Sequence, residues 1–460
     1  MAKKTHLSPS RRELFLGGLG AAGLVSFGGL AGSASLAMAA SSPSVTDHYF
    51  IFCYYSGGWD PLLGIAPKDP SQFPDELRNE TLIQLGYDNL RTVGTGITDP
   101  MPAMHDGVLL GPYIGNLKDW THRTAFVRGM SMDTLTHEVG RRRFLTGKPP
   151  SGLLARGSSA STWLATLLGA DHPVPNLSAR VESYNVDQPA WATALKVDNV
   201  DDLLRALRPG AIDIAPEERD RVQALLDEFR DCHVVGNRPE VSAALGAQSS
   251  ARTLVNEGLD ALFDFGSSDP GMVALRERFD LSPTDMGSPQ AQAAMAVTAL
   301  TAGISRCVSI EVANGLDTHF DNWETDQGPN QMEGHDVVAA LMAELDSIPY
   351  QGSGSTWLDH TTIVGFSEFS RTALINSNSG RDHSLTGSCF LAGGGIRAGV
   401  YGASSDVGLL PQAVDLQTGI VDPTGNIVRP EHILRALLES IGVTDDIADL
   451  RVDPYRAILA

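Results

Sequence analysis

Seven consecutive residues, Tyr49-Phe50-Ile51-Phe52-Cys53-Tyr54-Tyr55, are apolar or aromatic and β-favouring, and the run stops at Ser56-Gly57-Gly58-Trp59-Asp60. A strand with one face in water alternates polar and apolar residues, so this unbroken run reads as a strand buried on both faces. Such a strand belongs in the middle of a sheet with helices on either side. Further strands are expected at Thr124 to Val127, Leu177 to Val181, Arg306 to Ala313, Thr361 to Phe366 and Ser388 to Leu391. Helices are expected from Met130 onward to Gly147 after a short loop, from Gln290 to about Gly303, from Gly334 to Leu345, and from near Pro430. Strands alternating with helices of this length imply right-handed crossovers and an α/β fold with a mainly parallel sheet. From about 192 to 281 the pattern turns helical, as in Asp201 to Leu207 and Glu217 to Phe229, so an inserted helical layer is expected there.

The first forty residues read as an address. Ser10-Arg11-Arg12-Glu13-Leu14-Phe15-Leu16 precedes an uncharged, Gly/Ala-rich run from Gly17 to about Leu36, and Ala37-Met38-Ala39 supplies a small-x-small cleavage site. That order is a secretory signal of the twin-arginine type over residues 1–39, leaving a folded domain over 45–460. The expected partner is the twin-arginine export machinery, and the expected location is periplasmic or extracellular. No later run approaches the 18 apolar residues or so that a membrane span needs, so no permanent span is expected in the exported chain.

The 460-residue chain carries a formal charge of −21 at pH 7. An acidic surface repels phosphate backbones over a Debye length of about 8–10 Å, which argues against nucleic acid as a partner. It does not exclude a small anionic substrate, because local cations or a metal can reverse the field in a pocket. The four cysteines, Cys53, Cys232, Cys307 and Cys389, show no metal-site spacing, and buried free thiols are the expected state.

In an open parallel sheet the ligand site lies beyond the carboxyl ends of the strands. The segments expected there are unusually polar: Asp60; Asp133, Thr134, Thr136 and His137; Asp317-Thr318-His319; Ser367-Glu368; and Asp382-His383. Carboxylates and imidazoles gathered at one sheet edge suit a divalent metal ion, which relieves the repulsion among the acids while neutral imidazole completes the shell. Zinc, manganese, magnesium and calcium all remain open. Arg141-Arg142-Arg143 is expected to form a solvated helix face with one inward member. His335 and Asp336 are expected to begin a helix, and Gly393-Gly394-Gly395 to turn after a strand.

The segments Ser56-Gly57-Gly58-Trp59-Asp60, Thr136-His137 leading to Thr146-Gly147, Gly315-Leu316-Asp317-Thr318-His319, Ser367-Glu368-Phe369-Ser370-Arg371-Thr372, and Asp382-His383 followed by Gly393-Gly394-Gly395 together resemble an exported bacterial family, domain of unknown function 1501. That family is grouped with alkaline phosphatases, sulfatases and metal-dependent phosphoglycerate mutases. The resemblance implies a three-layer α/β/α sandwich of the alkaline phosphatase type. It also implies that Asp60, Asp317, His319, Glu368 and His383 correspond to metal ligands, with His137 either a further ligand or beside the nucleophile. Thr134 or Thr136 takes the approximate place of the nucleophile, and Arg371 or Arg141 to Arg143 that of an oxyanion holder. The chain departs from the enzymes in lacking a Cys/Ser-x-Pro-x-Arg segment, in the short Asp317 to His319 gap, and in Glu368-Phe369 where Asp-His is usual.

The expected function is therefore that of an exported metal-dependent hydrolase acting on a phosphate, phosphonate or sulfate ester. The alternatives are a non-catalytic relative that binds an anion, glycan or partner, and an envelope accessory protein with a structural metal.

Overall fold

The computed structural model describes residues 47–152, 154–207 and 259–460, with a few positions between 217 and 225. The export signal expected over 1–39, Cys232, and most of the expected insertion between 208 and 258 lie outside the described residues.

The seven-residue apolar run forms β1 (Tyr49–Tyr55), buried along its whole length. It joins β2 (Thr124–Ser131), β3 (Asn176–Ala179), β4 (Leu195–Val197), β5 (Cys307–Ala313), β6 (Thr361–Phe366), β7 (Thr386–Gly393) and β8 (Gly399–Tyr401) in one sheet, in the order β8-β2-β7-β6-β1-β5-β3-β4. β1 lies between β5 and β6 and is parallel to both, with Ile51 opposite Val308 on one side and Ile363 on the other. β7 runs antiparallel to β6 and β2, against the expectation of parallel crossovers. No helix lies between Phe366 and Thr386, and a chain that returns without a helical crossover can only pair antiparallel.

Alternation along β1 explains why no polar residue is tolerated in it. Tyr49, Ile51, Cys53 and Tyr55 enter a core with residues of the helices Pro289–Thr301 and Gly328–Ser347. Phe50, Phe52 and Tyr54 enter a second core with residues of His137–Thr146, Ala160–Leu168 and Pro430–Ser440. In chain order these helices are α1 (His137–Thr146), α2 (Ala160–Leu168), α3 (Pro289–Thr301), α4 (Gly328–Ser347) and α5 (Pro430–Ser440). The sheet is thus mixed, mostly parallel, and packed by helices on both faces. Three helices, α3, α4 and α5, carry proline in the first turn, where its missing N–H costs nothing.

Two local expectations change. Leu195–Val197, inside the stretch read as helical, is the edge strand β4. α4 begins at Gly328-Pro329, seven residues earlier than His335, so His335 and Asp336 are interior. His335 is fully buried with Nδ1 3.0 Å from the Tyr113 carbonyl, and Asp336 accepts from the Asn116 N–H at 2.6 Å. The Gly393 turn is as expected, and at φ +91° a side chain there would meet the Thr361 carbonyl. Cys53, Cys307 and Cys389 are buried free thiols, and burial pushes each of them up. Among the described residues no helix is long and apolar enough to cross a membrane.

The loops beyond β1, β5 and β6 are stitched together by main-chain bonds. Ser56 N–H donates to the Ala313 carbonyl at 2.8 Å, Leu316 N–H to Ser56 at 3.2 Å, and Arg371 N–H to Trp59 at 3.2 Å. These bonds fix where the polar side chains of the three loops point.

Burial depresses four histidines, His48, His172, His335 and His432, each to about 4. An unfolded histidine takes up its proton near pH 6.5, so between that value and 4 the unfolded chain binds more protons and folding loses free energy as the pH falls. For His335, wholly buried, the loss is about 3 kcal/mol. Denaturation measured from pH 7 to 4 should show a falling midpoint, with a shallower fall in His335→Gln; an unchanged slope would contradict this account.

Candidate metal centre

Asp317, in the loop after β5, stands at the middle of a ring of three imidazoles. Its Oδ1 is 3.0 Å from His319 Nε2, 3.2 Å from His383 Nε2 and 3.4 Å from His137 Nε2. The two facing nitrogens of His319 and His383 are 3.0 Å apart. His137, Asp317 and His383 form a group whose donor atoms all lie within 4.8 Å of one another.

The opposite nitrogen of each ring is anchored. His137 Nδ1 meets Glu368 Oε1 at 2.8 Å, His319 Nδ1 meets Asp382 Oδ1 at 2.9 Å, and His383 Nδ1 meets the Leu135 carbonyl at 2.7 Å. Those three partners accept only, so each neutral ring carries its proton on Nδ1 and turns the Nε2 lone pair inward. Three lone pairs and a carboxylate oxygen then converge with nothing donating between them except Arg371. Outer-sphere anchoring of this kind is what holds imidazoles on a metal. A tetrahedral site with bonds of about 2.0–2.2 Å spaces its donors by about 3.3 Å, close to the 3.0–3.4 Å from Asp317 Oδ1 to the three Nε2 atoms, although the mutually close group is His137, Asp317 and His383, with His319 at its side. The donor set therefore fits a metal ion.

Local sequence explains each placement. His137 is the first residue of α1, and Gly140 lets that helix approach the Glu368 loop so closely that a Cβ would lie 2.2 Å from the Glu368 carbonyl. Glu368 is itself buried and also accepts from Gly57 N–H at 2.9 Å and from Ser367 Oγ at 2.9 Å. Gly57 and Gly58, at φ +113° and +87°, bend the chain after β1, and a side chain on Gly57 would strike the backbone of Asp317. His383 pairs with Arg371 in a two-residue antiparallel ladder, and Phe369 packs its ring 4.2 Å from that of His383 and 4.7 Å from that of His137.

Charge follows the same logic. Partial burial raises the Asp317 carboxyl, but the bond from Arg371 and the Arg371 charge outweigh it and hold it at about 2. Burial likewise opposes ionisation of Glu368, yet the His137 hydrogen bond lowers it. His137 rises because Glu368 binds its ring, and His383 falls because of burial.

The sequence-predicted residues divide into three groups. His137, Asp317, His319 and His383 meet. Glu368 is close, with Oε1 turned to His137 Nδ1 rather than toward the converging atoms. Asp60 does not join them: its Oδ1 caps Leu62 N–H at 3.0 Å, and its Oδ2 accepts from Trp323 Nε1 at 2.9 Å and pairs with Arg381 Nε at 3.1 Å. Both partners of that ion pair are buried, and with its oxygens so occupied Asp60 has nothing left for a metal.

Arg371 is also reassigned. Four of the five N–H groups of its buried guanidinium donate to the carbonyls of Gly57, Gly58 (2.9 Å) and Arg381 (3.2 Å) and to Asp317 Oδ1 (2.7 Å), and the remaining Nη1 contact is to His319 Nε2 at 3.4 Å, so the group is committed to the framework of the site. Thr136 caps α1 without a side-chain bond and is exposed, directly before His137. Arg143 is the buried member of the arginine run, but Arg141 and Arg142 are half-buried against Glu182, Tyr54 and Tyr184 rather than solvated. Asp382, named in the sequence only as part of a pair, anchors His319; nothing in the sequence marks Arg381.

Asp60→Asn should cost about 3 kcal/mol or more, because it strands a buried cation. Urea denaturation will read that loss, while the metal content of the folded fraction should stay at the wild-type value; a parallel loss of metal would return Asp60 to the ligand set.

Comparison with curated proteins finds no match. A family model described as "Protein of unknown function (DUF1501)" matches residues 51–422, a span that includes most of β1, the loops after β5 and β6, and all four converging side chains. The chain belongs to the DUF1501 family.

Proposed function

We propose that this protein is an exported, metal-dependent hydrolase of the alkaline phosphatase type, acting on a phosphate, phosphonate or sulfate ester outside the cytoplasm. The observation that carries the reading is the convergence of His137, His319, His383 and Asp317 with every Nδ1 anchored. Three nitrogens and one oxygen favour zinc, or manganese, over magnesium and calcium, which prefer oxygen ligands. A divalent cation there supplies Lewis-acid polarisation of an ester oxygen.

The chain's own residues do the rest. Glu368, Asp382 and the Leu135 carbonyl hold protons on the three Nδ1 atoms, and Arg371 fixes Asp317 through Oδ1, the oxygen that faces the imidazoles. The Thr136 hydroxyl, uncapped and exposed next to His137, is the candidate nucleophile. The tilted Phe369 ring covers one side of His137 and His383 against water. The twin-arginine signal supports a protein that folds, and takes up its metal, before export.

A second reading is a structural metal that only braces the loops, and it is favoured by the full commitment of Arg371 to framework bonds. Metal analysis of protein matured in the cytoplasm should find about one divalent ion per chain. His319→Ala and His383→Ala should abolish it, and Asp382→Asn should weaken affinity by about 10–100-fold. Wild-type protein without metal would overturn the proposal. Hydrolysis of aryl phosphate, phosphodiester or sulfate esters that Thr136→Val removes would establish catalysis; chelator-sensitive stability with no turnover would select the structural reading.

A further inference from the structure

The same sheet edge carries a second feature that the metal reading does not use. One turn along α1 from His137, Arg141 and Arg142 lean over the ends of β1 and β3. Arg141 Nη2 pairs with Glu182 Oε1 at 2.9 Å and its Nη1 lies 3.4 Å from the Tyr54 hydroxyl. Arg142 Nε donates to the Tyr184 hydroxyl at 2.8 Å and is 3.7 Å from Glu182 Oε2, which the Tyr184 hydroxyl already occupies. Lys196, on β4, sits 6.0 Å over the Tyr184 ring, and Arg180 follows β3 directly with its Nε on the Asp198 carbonyl at 2.9 Å.

The charge count is uneven. Among the described residues Glu182 is the one carboxylate within ion-pair distance of Arg141 or Arg142, and neither Arg180 nor Lys196 has such a partner. Glu311 is near enough to feel both Arg141 and Arg180, but burial raises its carboxyl toward the neutral form. Arg141 Nε and Arg142 Nη1 are buried with no acceptor. Arg141 and Arg142 share one fully engaged carboxylate, and Arg180 and Lys196 on the neighbouring strand ends add two more cations, in a chain whose net charge is −21. Arg141 also lies one helical turn from His137 on α1, which places this end of the cluster beside the metal centre.

We infer that Arg141, Arg142, Arg180 and Lys196 form an oxyanion subsite that seats a negatively charged group of the ligand beside the metal centre. This inference rests on the proposed function for its orientation, and it narrows the substrate to an ester bearing a second anionic group: a phosphate, sulfate or carboxylate. Guanidinium pairs suit such groups because their N–H forks match two oxygens at once.

The test titrates metal-loaded full-length mature protein with inorganic phosphate, sulfate and acetate in separate arms, reading binding by calorimetry and divalent metal by elemental analysis. Lys196→Gln, at an exposed position, and Arg142→Gln should each weaken the preferred oxyanion by about fivefold or more while metal content is unchanged. The three arms rank phosphate, sulfate and carboxylate as the group recognised. Equal binding by both variants and wild type overturns the subsite. So does anion binding that vanishes in His383→Ala but survives in Lys196→Gln and Arg142→Gln, an outcome that leaves the metal reading intact. Binding sensitive to Lys196→Gln in protein that holds no metal upholds the subsite and removes the proposed function instead.

Discussion

One buried guanidinium organises the polar end of this sheet. Arg371 reaches from the loop after β6 to two carbonyls beyond β1 and to the carboxylate beyond β5, so three strands that are neighbours in the sheet become neighbours again past their ends. A cation with no access to water is unfavourable unless its donors are met, and main-chain carbonyls meet most of them here. Two of those carbonyls belong to Gly57 and Gly58, whose φ of +113° and +87° favours glycine. Behind Arg371 lies a second buried cation, Arg381, paired with Asp60 and stacked 4.7 Å over Trp323. The four converging donors therefore rest on two layers of satisfied charge.

That layering explains which parts of the site could be read from residues alone. The strand ends were legible because an all-apolar run needs cover on both sides, and because the polar residues after it have nowhere else to go. Asp317, His319 and His383 follow from that rule, as does His137 once the helix after β2 is placed. Asp60 obeys the same rule and still points elsewhere. A carboxylate at a strand end can cap a turn, accept from an indole or bind a metal, and the choice depends on Trp323 and Arg381, some 260 and 320 positions away. Arg371 fails for the same reason: a guanidinium can serve a ligand or its own chain, and only the positions of the surrounding carbonyls decide.

The antiparallel β7 and the early start of α4 were missed for local reasons. A strand of Ser, Cys, Phe, Leu and Ala residues carries no mark of direction, and direction is set by whether a helix intervenes. Gly328-Pro329 is a sound helix start that the apolar pattern beginning near Gly334 outweighed. The helical reading of 192–281 overlooked a three-residue edge strand, too short to show a period.

The return of the chain through β7 has a consequence for diversification. The segment from Ser367 to Leu385 leaves the sheet on one strand and rejoins it on the adjacent one, with its own small ladder holding the base. It carries the anchor Asp382, the donor His383 and the wall Phe369, and Asn376 near its tip donates to the His319 carbonyl and to Asp382. The exposed residues 377–379 beyond it can lengthen, shorten or change composition without a topological penalty. Related chains could thus acquire different ligand preferences by editing one hairpin while the imidazole ring beneath stays the same.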